Sequence, residues 1–164
     1  RNHGPCVRCV LVGDGPDLAR LREEHPEFLF VGAKVGDELA RHYASADCFV
    51  FPSLTETFGN VVLEAMASGL PTLAFDDGAA REHIRDGENG MIADYGDSDA
   101  FTQRLLAGLA QEATLPRMGA RARQTAENLS WESAIDSLEQ ILFGVIQRHQ
   151  DAGGRHEGVA ATAE

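Results

Sequence analysis

Glu56 and Glu64 bracket the part of this chain whose residue types and spacing best fit chemistry. The seven residues between them, TFGNVVL, begin as a glycine-containing loop and then open an apolar helix pattern, and the strand pattern CFVFPS leads into them. The first amides of a helix are unpaired, and the helix dipole adds about +0.5 charge there, so this helix start suits an anionic group. Carboxylates accept hydrogen bonds from vicinal hydroxyls. The combination favours a ligand with a central diphosphate and a diol on either side, such as a nucleotide sugar.

The spacing inside this segment agrees with that ligand. Glu64 lies about one turn into the predicted helix, roughly 6 Å along the axis from Asn60, which is about the distance from a diphosphate to a ribose. Gly59 lets the backbone approach a ligand with no Cβ in the way. Because an isolated pair of glutamates carries little information, the alternative that Glu64 simply faces solvent stays open.

Composition excludes several classes of partner. The chain has 164 residues, of which 43% are hydrophobic and 24% charged, as is typical of one globular domain. Its formal net charge of −12 argues against nucleic acid and anionic lipid, because both need clustered Lys and Arg. No apolar run approaches the ~18 residues of a membrane span, and no signal-peptide pattern is present. The first residue is Arg1 and not Met, so we expect the chain to be a piece of a longer protein.

The three cysteines indicate a reducing, cytoplasmic compartment. Cys6 and Cys9 form a C-x-x-C, but the stretch CVRCVLVG is typical of a strand, which would point the two side chains to opposite faces. We therefore predict that Cys6, Cys9 and Cys48 pack in the core and take no part in redox or metal chemistry.

Strand and helix patterns alternate along the chain. The predicted strands cover 7–13, 28–32, 47–53, 71–75 and 90–93. The predicted helices cover 17–25, 36–46, 60–69, 79–87, 97–112, 114–128 and 131–149. Five short strands alternating with helices predict a doubly wound, mostly parallel α/β sheet of the Rossmann-like kind, in one domain over 5–149. Residues 150–164 lack apolar periodicity, which predicts a disordered tail.

Three polar segments follow the predicted strands directly: GDGP, GAK and SLTETFG. Ligands on doubly wound sheets bind beyond the C-terminal ends of the strands. We therefore expect these segments to face one cleft.

Four segments together resemble the C-terminal, donor-binding half of retaining glycosyltransferases of family 4, which have the GT-B fold. They are GDGP after the first strand, YASAD before the third, FPSLTETFGNVVLEAMASGLP, and REHIRDGENG. The resemblance runs from about residue 7 to about residue 147, and its most specific piece is the Glu-x7-Glu element with its FGN core and the EAMASG helix. In that family this half binds the nucleotide sugar, and a separate N-terminal half binds the acceptor.

The resemblance assigns roles to individual residues. Glu56 would be the catalytic residue, contacting hydroxyls of the transferred sugar and supporting positive charge at its ring. Glu64 would bind the ribose diol. The other donor-binding positions would act largely through the backbone: Gly13, Gly15, Ala33, Lys34, Phe58, Gly59, Asn60 and Val61.

The resemblance also implies a reaction. A hexose of the mannose or glucose type would move from a GDP- or UDP-linked donor to a lipid or glycan acceptor, with net retention at the anomeric carbon. Pre-oriented amides can stabilise the departing nucleoside diphosphate, so no metal and no cofactor would be required. Such an enzyme would be cytoplasmic and would meet the inner face of the membrane through its other half, without inserting directly. The alternative is a catalytically inactive nucleotide-binding or regulatory module of the GT-B type.

One departure from the family pattern concerns the start of the chain. The resemblance implies a further strand and loop upstream of GDGP, and that loop normally supplies an Arg and a Lys to the diphosphate. The further strand would be central in a sheet ordered 3-2-1-4-5-6, so its absence would leave two strands without a neighbour. We expect this chain alone to bind a nucleotide sugar weakly at best and to transfer nothing.

Two other motifs favour simpler interpretations. GDG resembles the start of a dinucleotide fingerprint, but Leu18 stands where G-x-G-x-x-G requires its third glycine. Asp97-Ser98-Asp99 has the D-x-D pattern of some metal sites, yet Asp and Ser are common helix N-caps and a helix pattern follows. No G-x-S-x-G indicates a hydrolase.

Overall fold

Strands and helices alternate in the computed structural model, which describes residues 7–55 and 59–153. The strands in these ranges are β1 (Val10–Val12), β2 (Leu29–Gly32), β3 (Phe49–Phe51), β4 (Thr72–Phe75) and β5 (Gly90–Ala93). The helices in these ranges are α1 (Leu18–Glu24), α2 (Gly36–Ala44), α3 (Asn60–Ala67), α4 (Gly78–His83), α5 (Ser98–Ala110), α6 (Leu115–Glu127) and α7 (Trp131–Gly153), with a 3-10 turn at Glu112–Thr114. The predicted α/β alternation is confirmed.

The described strands form two parallel ladders. β1 pairs with β2, with Val10 opposite Leu29. β4 lies between β3 and β5, and Thr72 is opposite both Phe49 and Gly90. Within the described residues β1 and β3 each pair on one side only, and these are the two strands that the sequence leads us to expect without a neighbour.

The core lies on both faces of β4, whose four residues are all buried. Successive side chains of a strand point to opposite faces, and the two core clusters divide β4 in this way. One cluster contains Val62, Met66, Ala74, Ala79, Ala80, Ile84 and Ala122. The other contains Leu73, Phe75, Met91, Ala93, Phe101 and Met118. Helices α3 and α4 thus cover one face while α5 covers the other, which confirms the doubly wound arrangement.

The cysteine prediction holds only in part. Cys48 is half-buried and packs against the second core cluster, and burial, followed by the nearby Asp47 charge, raises its pKa to about 11. Cys9 is exposed, so the prediction that it packs in the core is wrong. Cys9 directly precedes β1, and the first and last residues of β1 are exposed, so no core covers this part of the chain. Cys6 lies outside the described residues.

A buried asparagine joins the α4–β5 connection to α6. Asn89 is 3% exposed, and its Oδ1 accepts a hydrogen bond from the backbone N of Arg85 at 2.6 Å. Its Nδ2 donates to the backbone O of His83 and to Oγ1 of Thr125, both at 3.0 Å. Since a buried polar group is costly unless it is paired, these three bonds fix the connection that returns the chain to β5.

The chain divides into two compact units, one up to residue 126 and one from residue 127 onward. In the second unit α7 extends to Gly153, and several of its large apolar side chains are exposed: Ile135, Leu138, Ile141, Leu142, Phe143, Val145 and Ile146. No helix in the described ranges is long and apolar enough to cross a membrane. The predicted domain limits, 5–149 with a tail at 150–164, stay predictions.

Helix α6 approaches the end of α3 closely at a glycine. A Cβ placed on Gly119 would collide with the backbone O of Gly69 and would lie 3.2 Å from Cδ of Pro71. Both obstacles are rigid, because one is backbone and the other belongs to a proline ring. The α3–β4 corner therefore requires glycine at this position of α6.

We expect Gly119→Ala to lower the free energy of unfolding by about 1–3 kcal/mol, because overpacking a tight contact forces the backbone to move. Urea denaturation measures this. Gly15→Ala is the matched control, since a Cβ there meets no atom within 4 Å, and its effect should stay within about 0.5 kcal/mol. Equal stability of the two variants would contradict the close approach of α6.

Candidate functional site

The ends of β1 and β2 bring the first group of predicted donor-binding residues together. The backbone N of Gly13 donates to the backbone O of Gly32 at 3.0 Å, so the chain leaving β1 lies beside the chain leaving β2. The backbone N of Gly15 is held by Oδ1 of Asp14 at 2.8 Å. A Cβ on Gly13 or Gly15 would meet no protein atom within 4 Å, so this corner has open space around its backbone.

The segment after β2 continues directly into α2. Ala33 is exposed, whereas the Lys34 side chain is 25% exposed. Nζ of Lys34 lies 3.5 Å from Oε2 of Glu38, in the first turn of α2. The cation at this strand end is therefore already paired with a carboxylate of the same chain.

The second group of predicted residues forms the start of α3. The helix begins at Asn60, as predicted, and Gly59 precedes it as the N-cap with a φ of +83°. Glycine has no side chain to cap the helix. Gly59 is buried, and a Cβ added to it would lie 3.1 Å from Cβ of Ala79. Asn60 is exposed and Val61 half-buried, so the first turn of α3 is accessible from outside. An uncapped, accessible helix start is a suitable place for an anion.

Glu64 lies in the second turn of α3 with its side chain exposed. Its Oε2 accepts a hydrogen bond from the hydroxyl of Tyr43, in the last turn of α2, at 3.2 Å. The Tyr43 ring packs edge-on against Phe49 of β3, with ring centroids 5.6 Å apart. Desolvation, then the Glu64 charge and this hydrogen bond, raise the pKa of Tyr43 to about 12. Helix α2 thus contacts both groups of predicted residues, through Glu38 at its start and Tyr43 at its end.

Glu56 and Phe58 lie outside the described residues, but the loop that leads to them is anchored. The hydroxyl of Tyr95 donates to the backbone O of Leu54 at 2.7 Å, and its ring packs edge-on against Phe75 at 6.4 Å. Tyr95 is not among the functional residues predicted from the sequence. The signal was its place directly beyond β5, because an aromatic residue with a polar tip at a strand end can support a neighbouring loop.

The predicted N-cap at the D-x-D motif is confirmed. Oδ1 of Asp97 accepts from the backbone N of Ala100 at 2.8 Å, so this carboxylate is used by the start of α5. The exposed Asp99 lies in the first turn of the same helix, where an acidic residue is favourable.

The family of the chain follows from comparison with known proteins. The family model described as glycosyl transferases group 1 matches residues 1–111. The chain belongs to this family.

Curated relatives agree with that assignment. The chain is 41% identical over 132 residues to a GDP-mannose-dependent alpha-mannosyltransferase of Mycobacterium tuberculosis, covering 80% of this chain and 34% of the relative. It is 39% identical over 145 residues to the sulfoquinovosyl transferase SQD2 of Arabidopsis thaliana, covering 85% and 28%. The chain therefore spans about a third of the length of the curated relatives it matches.

Solved structures show the same fold. Sucrose-phosphate synthase from Thermosynechococcus elongatus has a TM-score of 0.68 at 28% identity, covering 83% of this chain and 38% of that one. Anabaena HepE, solved in complex with UDP-glucose, has a TM-score of 0.66 at 22% identity, covering 85% and 42%. The predicted fold, the Rossmann-like C-terminal half of a GT-B protein, is confirmed.

We expect Gly59→Ala to lower the free energy of unfolding by more than Gly96→Ala. Both glycines have a left-handed φ, +83° and +79°, which costs a residue with a Cβ about 1–2 kcal/mol. Only Gly59 also meets a neighbour, Ala79, at 3.1 Å, whereas Gly96 has nothing within 4 Å. Urea denaturation of both variants measures the difference. Equal losses would show that the start of α3 does not press on α4.

We expect Tyr43 to ionise near pH 12, compared with the ordinary 10.0. The chain has two tyrosines, so Tyr95→Phe leaves Tyr43 as the only one, and tyrosinate absorbance in the near ultraviolet follows it. Because the pKa of Tyr43 is raised in the folded state, its contribution to the free energy of unfolding is fully present below pH 10. That contribution is lost as the pH rises towards 12. Adding Glu64→Gln should lower the midpoint. A midpoint that Glu64→Gln leaves unchanged would contradict the Tyr43–Glu64 contact.

Proposed function

We propose that this chain is the donor-binding part of a retaining glycosyltransferase that moves a hexose from a nucleoside diphosphate sugar to a lipid or glycan acceptor. The observation that carries the proposal is the start of α3, where the exposed Asn60 follows a buried glycine with no side-chain cap and Glu64 lies one turn further on. Family membership supports it, since the matched region includes this whole segment.

In the proposed complex the diphosphate binds at the first turn of α3. Its charge faces the amides of Asn60 and Val61 and the positive end of the helix dipole. The ribose hydroxyls then reach Glu64, since a helix rises about 1.5 Å per residue and the carboxylate lies roughly 6 Å further along. The nucleoside extends towards the ends of β1 and β2, where a Cβ on Gly13 or Gly15 would meet no atom within 4 Å and where Ala33 and Lys34 follow β2.

The proposed reaction breaks the bond between the anomeric carbon and the phosphate oxygen and forms a bond from the acceptor oxygen to the same carbon. The proton of the acceptor hydroxyl passes to the departing phosphate oxygen. Both electrons of the broken bond leave with the nucleoside diphosphate, which gains negative charge. Fixed amides at a helix start stabilise that charge as it develops, so the proposal requires no metal and no cofactor. Attack on the face that the leaving group vacates would retain the anomeric configuration, with Glu56 orienting the sugar.

GDP-mannose is the donor we favour. Two curated relatives of this chain are named GDP-mannose-dependent alpha-mannosyltransferases, with 41% and 35% identity. UDP-linked glucose is the second donor to test, because HepE was solved with UDP-glucose. The acceptor would bind to an N-terminal domain of the same polypeptide, consistent with the greater length of the relatives, in a cytoplasmic enzyme at the inner face of the membrane.

We expect GDP to shift amide NMR resonances of Gly59–Val61 and of Gly13–Gly15 in this chain. Glu64→Ala should weaken GDP binding by about 1.5–3 kcal/mol, the range for hydrogen bonds to a charged group. The matched control is Glu112→Ala, which removes an exposed carboxylate from the turn before α6 and should leave the affinity unchanged.

The same titration with UDP, GDP-mannose and UDP-glucose ranks the donors. Shifts confined to other parts of the chain would overturn the proposed site. Unchanged affinity in Glu64→Ala would remove the ribose contact from the proposal.

A further inference from the structure

We propose that Tyr43 is a positioning residue that holds the Glu64 carboxylate in the orientation that receives the ribose diol. The inference rests on the proposed function, because it assigns a second residue to the ribose end of that site. Tyr43 is not among the functional residues predicted from the sequence.

Two contacts fix the position of the Tyr43 side chain, one at its ring and one at its hydroxyl. Its ring lies edge-on against Phe49 at 5.6 Å, and Phe49 stacks on Phe51 at 5.8 Å, so two residues of β3 support it. Its hydroxyl then donates to Oε2 of Glu64 at 3.2 Å. A residue on α2 thereby orients a side chain on α3, 21 positions later in the chain.

The carboxylate has capacity left for the ligand. An ionised carboxylate has two oxygens with about four lone-pair sites, and Tyr43 occupies one of them. Oε1 and the rest of Oε2 can accept from two vicinal hydroxyls. Glu64 is exposed and has several rotatable bonds, so an unsupported carboxylate would lose rotamer freedom when it binds. A carboxylate already held by Tyr43 has lost part of that freedom before the ligand arrives.

The protonation state fits this role. Tyr43 can donate only while its hydroxyl keeps the proton, and its raised pKa of about 12 keeps it protonated under ordinary conditions. Glu64 can only accept once it is ionised, so the direction of the hydrogen bond is fixed. The hydroxyl therefore adds no charge of its own and leaves the other lone pairs of the carboxylate to the ribose hydroxyls.

Tyr43→Phe tests the inference, because it removes the hydroxyl and keeps the ring against Phe49. We expect GDP to bind about 3- to 10-fold more weakly to this variant, the effect of one ordinary hydrogen bond. Affinity for 2′,3′-dideoxy-GDP, which lacks the diol, should not change. NMR titration of the whole chain measures both, and it remains accurate for weak binding. A residue that merely supports the fold would affect the two ligands equally.

Tyr95→Phe is the matched control. It removes the other tyrosine hydroxyl, which donates to the backbone O of Leu54 and not to Glu64. Any effect of this variant should be the same for GDP and for the dideoxy ligand. A selective loss of GDP affinity in Tyr95→Phe would overturn the assignment to Tyr43.

A double-mutant cycle separates this inference from the proposed function. In a Glu64→Ala background, Tyr43→Phe should have no further effect, because the hydroxyl acts through the carboxylate. If Glu64→Ala removes the preference for GDP over the dideoxy ligand and Tyr43→Phe leaves it intact, the positioning role is wrong and the proposed site stands. If Glu64→Ala leaves the preference intact, or if GDP does not bind, the proposed ribose contact fails and the inference fails with it.

Discussion

The conformation of Gly59 at the start of α3 is the constraint on which the site depends. Gly59 precedes the first residue of the helix with a left-handed φ of +83°, and this conformation sets the direction in which the first amides of α3 point. The same glycine is buried, and a Cβ on it would lie 3.1 Å from Cβ of Ala79, so the start of α3 lies close to α4. In the chain, the fully buried β4 lies between α3 and α4, and residues of all three elements pack in one core cluster. This packing further fixes the positions of the two helices.

Helix α2 connects the two groups of predicted donor-binding residues. The two ladders share no backbone pairing within the described ranges, so the ends of β1 and β2 are joined to the start of α3 by side chains. Glu38 contacts Lys34 at one end of α2, and Tyr43 contacts Glu64 and Phe49 at the other. An exposed ion pair contributes little, at most about 1 kcal/mol, so the aromatic contact and the Tyr43 hydrogen bond are the stronger connection. In the proposed site, the nucleoside would meet the ends of β1 and β2 and the diphosphate would meet the start of α3. These two surfaces are connected through a small number of side chains.

Much of the fold could be predicted from the sequence, because local patterns determine it. The helix at 60–69 was predicted within two residues of the observed Asn60–Ala67, since Gly59 and Gly69 bracket an apolar run. The site was predicted less completely, because its supporting contacts join distant positions. Tyr43 and Glu64 are 21 residues apart, and Tyr95 and Leu54 are 41 apart. No local pattern encodes such pairs, since they depend on how helices and loops pack at one end of the sheet. Glu56 and Phe58 lie outside the described residues, so their roles stay predictions.

An acidic protein can still bind a diphosphate if its donors are close and neutral. The chain carries a formal charge of −12, yet at physiological ionic strength charges beyond the Debye length of about 8 Å are largely screened. Amides at hydrogen-bond distance act well inside that length, and the helix dipole adds to them without any cation. Lys34, the lysine at the end of β2, is already paired with Glu38. A diphosphate site at the start of α3 would therefore derive its affinity from backbone orientation, so the conformation of Gly59 would matter more than the sign of the surrounding charge.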